Sequence, residues 1–160
     1  MDILIAGGGI GGLAAALALS RNGHRVRVFD DRAPDAADVG AGIQLSPNAT
    51  RVLASWGLGE AVDAQAFYPQ RISLRDGRTR RRLMSLTLGE KLRARHGFPY
   101  LHIHRGDMRR ILLEAVIAAC GDVVSAGTRV TGLSQVEGRP RLHLADGMHA
   151  EGDVVIGADG

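Results

Sequence analysis

A glycine cluster close to the start of the chain, Ala6-Gly7-Gly8-Gly9-Ile10-Gly11-Gly12, constrains the fold of this 160-residue sequence more than any other feature. A short apolar run, Ile3-Leu4-Ile5, precedes it, and an alanine- and leucine-rich helix former, Leu13 to Ser20, follows. Strand, glycine turn and helix in that order are what a dinucleotide pyrophosphate requires. Gly7 permits the tight turn out of the strand. Gly9 lets the backbone approach the phosphates, and Gly12 lets the helix pack closely on the strand. The first turn of that helix, from Ile10 and Gly11 onward, presents unpaired N–H groups and a positive dipole end to an anion.

Glycine-rich turns are common, so the context decides. Asn22-Gly23 is a helix stop, and Arg25-Val26-Arg27-Val28-Phe29 reads as a second strand directly after it. Asp30 ends that strand, 18 residues past Gly12, where an acid can accept hydrogen bonds from a ribose. An anion there disfavours a 2′-phosphate on that ribose.

The length suffices for one domain with a real core, and 45% hydrophobic with 23% charged residues is an ordinary globular balance. No apolar run is long enough to cross a bilayer, and no basic n-region precedes the first strand, which predicts neither a membrane span nor a signal peptide. Cys120 is the single cysteine, so no internal disulfide forms; this fits a cytoplasmic protein, and Cys120 itself reads as a buried inert thiol. The net charge is +3, but residues 71–95 carry nine basic against two acidic side chains, a local +7 that leaves −4 for the rest. That cluster has no interleaved aromatics and much of it lies on a predicted hairpin. It reads as a solvated or phosphate-facing surface rather than a nucleic-acid interface.

Asp31 to Val39 is acidic, proline-containing and aperiodic, a surface loop. Gly40-Ala41-Gly42-Ile43-Gln44-Leu45 then leads to Ser46, an N-cap with Pro47 at the first helical position. The helix 48–56 stops at Gly57, and a short helix spans about 59–66. Two bare glycines flanking Ala41 suit either a β-bulge or close approach to a flat ring. Residues 71–76 and 79–88 alternate as a hairpin around Asp76-Gly77, and 91–99 reads as a loop. A strand at 100–104 is followed by a helix from Arg105 whose apolar face is Met108, Ile111, Leu112, Ala115, Val116 and Ala119. At this strand-to-helix junction Arg105 suits either surface contacts or a reach to a phosphate or ring edge. His102 and His104 share a strand face but lack a third metal ligand nearby. No Ser-His-Asp or Cys-His set is legible, and no residue stands out as a catalytic acid or base. Val123-Val124, a hairpin around Glu137-Gly138, a turn at Asp146-Gly147 and a fully apolar Val154-Val155-Ile156 complete the chain; the last is predicted to be a buried parallel strand.

Four stretches together resemble one family: Gly7 to Gly12 with Asp30, Gly40 to Ala49, His104-Arg105-Gly106-Asp107-Met108, and Gly157-Ala158-Asp159-Gly160. Over its whole length the chain resembles the N-terminal part of single-component FAD-dependent aromatic hydroxylases. It is most similar to the salicylate hydroxylase and 6-hydroxynicotinate monooxygenase branch of the p-hydroxybenzoate hydroxylase-like family. The resemblance implies an α/β, Rossmann-like FAD-binding βαβ domain with an inserted β-hairpin and a small β-meander, incomplete relative to the family. Residues 71–99 would begin an excursion toward the substrate side, and the rest of the FAD domain and the substrate domain would be missing.

By that resemblance Gly7, Gly9, Ile10, Gly11 and Gly12 hold the FAD pyrophosphate. Asp30 takes the place of the ribose-binding acid. Asp31 and Arg32 follow it, Arg32 one residue later than the basic residue of the family's pattern. Gly42, Ile43 and Gln44 pass beside the isoalloxazine, Arg105 contacts FAD, Val130 lies on the strand whose backbone meets the adenine, and Asp159 belongs to a DG motif linked to FAD and NAD(P)H. The implied activity is hydroxylation of a small aromatic substrate with NADH or NADPH and O2, with the chain by itself inactive. The missing pieces would uncover apolar sheet surface, which favours self-association into a homo-oligomer. The same residues also suit another FAD oxidoreductase of this architecture (an epoxidase or isoprenoid reductase) or a non-catalytic dinucleotide-binding fragment. A nicotinamide dehydrogenase fits less well, because no βαβ repeats follow the second strand.

Overall fold

Ile3, Leu4 and Ile5 are buried on both faces of a parallel sheet and form its inner strand β1 (Asp2–Ala6). The computed structural model describes residues 1–33 and 41–160. Gly40 and most of the predicted 31–39 loop therefore lie outside the described residues. The chain divides into two compact units, Met1–Asp38 with Arg109–Gly160, and Val39–Met108.

In the first unit α1 (Ile10–Arg21) crosses from β1 to β2 (Arg25–Asp30), as the strand, turn and helix pattern predicts. The helix ends at Asn22, and Gly23 follows with φ of 79°. After α5 (Arg105–Cys120), whose Arg109–Cys120 part belongs to this unit, come β7 (Val124–Ala126), β8 (Val130–Val136), β9 (Arg139–Leu144), β10 (His149–Glu151) and β11 (Val154–Gly157). The parallel sheet has the order β11-β1-β2-β7, and β10-β9-β8 form the antiparallel meander. Because side chains alternate along a strand, Leu4 and Phe29 point to one face. There they pack with Leu142, Leu144 and Ala150 of the meander, beside Val130 and Val155. Burying each such large side chain contributes about 1.5–3 kcal/mol.

In the second unit β3 (Gly42–Leu45) pairs antiparallel with β6 (Leu101–His104), and α2 (Pro47–Ser55) lies against β3 and α3 (Gly59–Asp63). Pro47 occupies the first turn after the N-cap Ser46, although the Ser46 hydroxyl donates to the Asn48 side chain instead of capping. β4 (Arg71–Arg75) and β5 (Arg82–Thr87) form the hairpin, and α4 (Gly89–His96) follows. Tyr68 donates its hydroxyl proton to Asp63, and burial chiefly pushes that phenol up to about 12.

Four expectations are corrected. Residues 91–99 do not form a loop throughout, because α4 occupies Gly89–His96. Its residues are good helix formers with Glu90 in the first turn, Arg93, Arg95 and His96 in the last, and Gly97 as a left-handed cap. None of them is buried, so no apolar period announced it. The hairpin is wider than Asp76-Gly77, with β5 beginning at Arg82 rather than residue 79. Asp76 gathers the Arg78 and Thr79 N–H groups at 3.0 and 2.6 Å, and Arg80 takes φ of 57°. β11 is parallel as expected but forms the edge of the described sheet, with Val154 37% exposed, because it has a partner strand on one side only. Cys120 is half-buried at the end of α5 rather than buried. No helix among the described residues is long and apolar enough to cross a membrane.

The amino ends of the strands in the first unit carry an ion-pair cluster. Arg25 holds the Asp2 carboxyl below its ordinary range, and the Asp2 backbone N–H does the same for Asp153; within the meander Arg141 does so for Glu151. Lowered folded-state pKa values stabilise the fold above the unfolded values, and that stabilisation is lost as pH falls through the folded values. We therefore expect the urea midpoint to be flat from neutral pH down to about pH 5 and to fall below about pH 4. Asp2→Asn should flatten that acid limb.

Candidate dinucleotide site

The carboxyl ends of β1, β2 and β11 meet where a parallel sheet places its ligands. β1 is the switch point, since its chain continues to β2 on one side while β11 joins on the other. The Gly7 N–H donates to Phe29 O at 2.7 Å, and the Ala158 N–H donates to Ala6 O at 2.7 Å. These bonds draw the glycine loop and the Gly157-to-Gly160 segment together. Gly7 has φ of 107°, and a Cβ there would overlap the Ala158 carbonyl and stand 2.7 Å from the Asp159 nitrogen. A Cβ on Gly12 would run into the Gly7 carbonyl. Both glycines are needed for close approach of backbone to backbone.

Gly9 and Gly11 differ from them. Gly9 is the N-cap of α1 in extended conformation, and among the described residues a Cβ there would meet only Arg32 Nη2, at 3.8 Å. A Cβ on Gly11 would meet none of the described residues within 4 Å. Beside Ile10 this leaves an open cradle at a helix start whose first turn holds no acid. The N–H groups of that turn have no intrahelical acceptors. A diphosphate fits this donor set: bare backbone N–H groups, a positive dipole end and the Arg32 guanidinium beside them.

Asp30 stands at the end of β2 as expected, but its side chain is only 4% exposed. Oδ2 accepts from Arg109 Nη2 at 2.8 Å, and Oδ1 lies 3.6 Å from Arg32 Nε. Asp31 is exposed beside it. Thr128 N donates to Asp30 O and Gly127 N to Arg32 O, both at 2.8 Å, which ties the end of β2 to the turn after β7. Val130 lies two residues further on, its side chain in the meander core. Asp159 is exposed and its backbone lies against Gly7. The first unit thus gathers Gly7, Gly9, Gly12, Asp30, Arg32 and Asp159.

Two residues here were not singled out in the sequence. Gly8 is one, since a Cβ on it would stand 2.6 Å from Asp30 Oδ2. Arg109 is the other; it also donates through Nε to Gly8 O at 3.0 Å. The only signal for Arg109 was its place one helical turn after Arg105.

Gly42, Ile43, Gln44 and Arg105 belong to the second unit. β3 and β6 pair in unbroken register, Gly42 with His104 and Gln44 with His102, so no bulge occurs at Gly42. A Cβ on Gly42 would meet only Ile103 O, at 3.9 Å, and the residue is exposed. Ile43 shares the opposite face with buried Leu101 and Ile103. Gln44 Oε1 accepts from the Tyr100 hydroxyl. His102 packs against the Tyr100 and Phe67 rings at centroid distances of 5.7 and 6.2 Å, with Nε2 buried and unpartnered among the described residues. Arg105 is exposed at the β6–α5 junction, its N–H 3.4 Å from Ala41 O. Among the described residues no group of three or more His, Cys, Asp or Glu is placed to hold a metal.

A family model described as "FAD binding domain" matches residues 1–160. The chain belongs to the FAD binding domain family. FAD is the cofactor of that family. The chain is 39% identical over 160 residues to a 3-hydroxybenzoate 6-hydroxylase of Polaromonas naphthalenivorans, covering 100% of this chain and 40% of that protein. It is 37% identical over 161 residues to a 6-hydroxynicotinate 3-monooxygenase of Pseudomonas fluorescens, covering 99% and 40%. The crystal structure of Klebsiella pneumoniae HpxO complexed with FAD and uric acid aligns with a TM-score of 0.81 at 29% identity, over 100% of this chain and 39% of that one. The chain spans about 40% of the length of these relatives.

The two kinds of glycine predict opposite behaviour. Gly12→Ala should destabilise the first unit by about 1–3 kcal/mol, because the helix start must move off the Gly7 carbonyl. Gly9→Ala should stay within about 0.5 kcal/mol of the natural chain, since its Cβ enters open space. Urea unfolding of the two variants checks this.

Proposed function

We propose that this chain is the FAD-holding portion of a flavin-dependent monooxygenase that hydroxylates a small aromatic substrate with NADH or NADPH and O2. The observation that carries the reading is the open cradle at Gly9, Ile10 and Gly11, bordered by Arg32 and closed by Gly7, Gly12 and the Ala158-Asp159 segment. It is supported by the similarity to 3-hydroxybenzoate and 6-hydroxynicotinate hydroxylases.

In this reading the N–H groups at the start of α1 and the Arg32 guanidinium bind the pyrophosphate. Asp31 and the backbone near Val130 serve the adenosine half, and Asp30 enters through its ion pairs with Arg32 and Arg109. Asp159 lies where the DG segment reaches the cofactor and the nicotinamide donor. Gly42 offers a bare strip of β3 to the ring system, Ile43 contributes backbone, and Gln44 and Arg105 offer polar side chains. FAD, when bound, supplies the redox chemistry: reduction by NAD(P)H and activation of O2 for insertion into an activated ring. The chain's own part is to bind, orient and keep water away. A cytoplasmic location and association into a homo-oligomer complete the proposal.

The test is an absorption spectrum of the purified chain after incubation with FAD and removal of free cofactor. We expect a retained flavin spectrum that Gly9→Val abolishes without loss of fold, because its branched side chain fills the cradle. Equal retention by the natural chain and Gly9→Val would overturn the assignment of the cradle.

A further inference from the structure

Asp30 stands where an acid can receive a ribose, yet its carboxylate turns inward. Its side chain is 4% exposed, and Arg109, 15% exposed, donates Nη2 to its Oδ2 at 2.8 Å. Through Nε the same guanidinium donates to Gly8 O at 3.0 Å. The planar fork serves the loop carbonyl and the carboxylate from two separate nitrogens in one fixed geometry, which the single flexible ammonium of lysine holds less rigidly. The other oxygen, Oδ1, lies 3.6 Å from Arg32 Nε, and Arg32 Nη2 reaches to 3.8 Å from the position a Cβ would take on Gly9. Gly8 has no side chain because Asp30 occupies that space.

We propose that Arg109 is a positioning residue of the cofactor site: it fastens the glycine loop to Asp30, and Asp30 in turn holds Arg32 beside the phosphate cradle. Asp30 then works as a strut between two arginines beside the cradle. The arrangement follows from burial. A carboxylate withdrawn from water needs partners: Oδ2 accepts from Arg109, and Oδ1 accepts from the Arg32 backbone N–H at 3.4 Å with the Arg32 guanidinium 3.6 Å away. This rests on the reading of the glycine loop as the FAD site.

The experiment is a fluorescence titration of the chain with FAD, with urea unfolding run in parallel, for Arg109→Met, Arg109→Lys, Asp30→Asn and the Asp30→Asn/Arg109→Met pair. We expect Arg109→Met to weaken FAD binding about tenfold or more, the loss of one charge-assisted contact, with Arg109→Lys recovering part of it. The double variant should bind within about threefold of the weaker single variant, because both changes break one unit. Arg109→Lys keeps a cation for Asp30 and carries the test should Arg109→Met not fold. A purely structural role would lower the urea midpoint and leave the dissociation constant of the folded protein unchanged, which overturns the proposal. Losses that add between Asp30 and Arg109 overturn it too, since Asp30 would then act on the ligand independently. A natural chain that binds no FAD overturns the site reading and the proposal with it; normal binding by the natural chain, by folded Arg109→Met and by Arg109→Lys overturns the proposal alone.

Discussion

The first unit depends on one constraint: at the carboxyl end of β1, backbone must touch backbone. The Gly7 carbonyl fills the space where Gly12 would carry a Cβ, and the Ala158 carbonyl fills the corresponding space at Gly7. With no side chains between them, the loop, the start of α1 and the end of β11 close to hydrogen-bond distance, and the Gly7 and Ala158 N–H groups find partners in Phe29 and Ala6. Relieving either contact would move the helix start whose N–H groups the cradle relies on. The proposed cradle is therefore a consequence of packing.

Acid-sensitive ion pairs and the proposed cradle occupy opposite ends of the same sheet. The amino ends of β1, β2 and β11 carry the Asp2, Arg25 and Asp153 cluster, sensitive to acid, with Arg25 and Asp153 exposed around a shielded Asp2. The carboxyl ends carry Asp30 and Arg109, withdrawn from solvent, with the half-buried Arg32 beside them. Exposed pairs are screened and worth little each, whereas a buried carboxylate must be satisfied or it opposes folding. Substitution at the first end acts on stability in acid; at the second it moves the arginines beside the proposed cradle.

Much of this was legible in residue order. β1, α1 and β2 followed from an apolar run, a glycine turn and a helix stop, and the Glu137-Gly138 turn appeared where both residues adopt positive φ, 51° and 80°. Ser46-Pro47 marked the start of α2. The misses share a cause. α4 has helix propensity but no buried face, so hydrophobic period could not reveal it. Val154 to Ile156 looked like a strand enclosed on both sides, but its composition could not say that only one neighbour, β1, pairs with it among the described strands. The choice between a bulge and a bare strand at Gly42 needed the register with β6.

The sequence by itself determined that a dinucleotide-type glycine loop lies between a strand and a helix, because spacing of glycines and apolar residues is a local property. It also singled out most candidate cofactor contacts, since these sit in short contiguous motifs. Only the tertiary structure decided what each glycine is for and where Asp30 faces. Gly8, Asp30 and Arg109 are far apart in the chain, and Arg109 reaches the loop only because α5 brings it back to the end of β2. Contacts across so many residues arise from packing, and no local pattern encodes them.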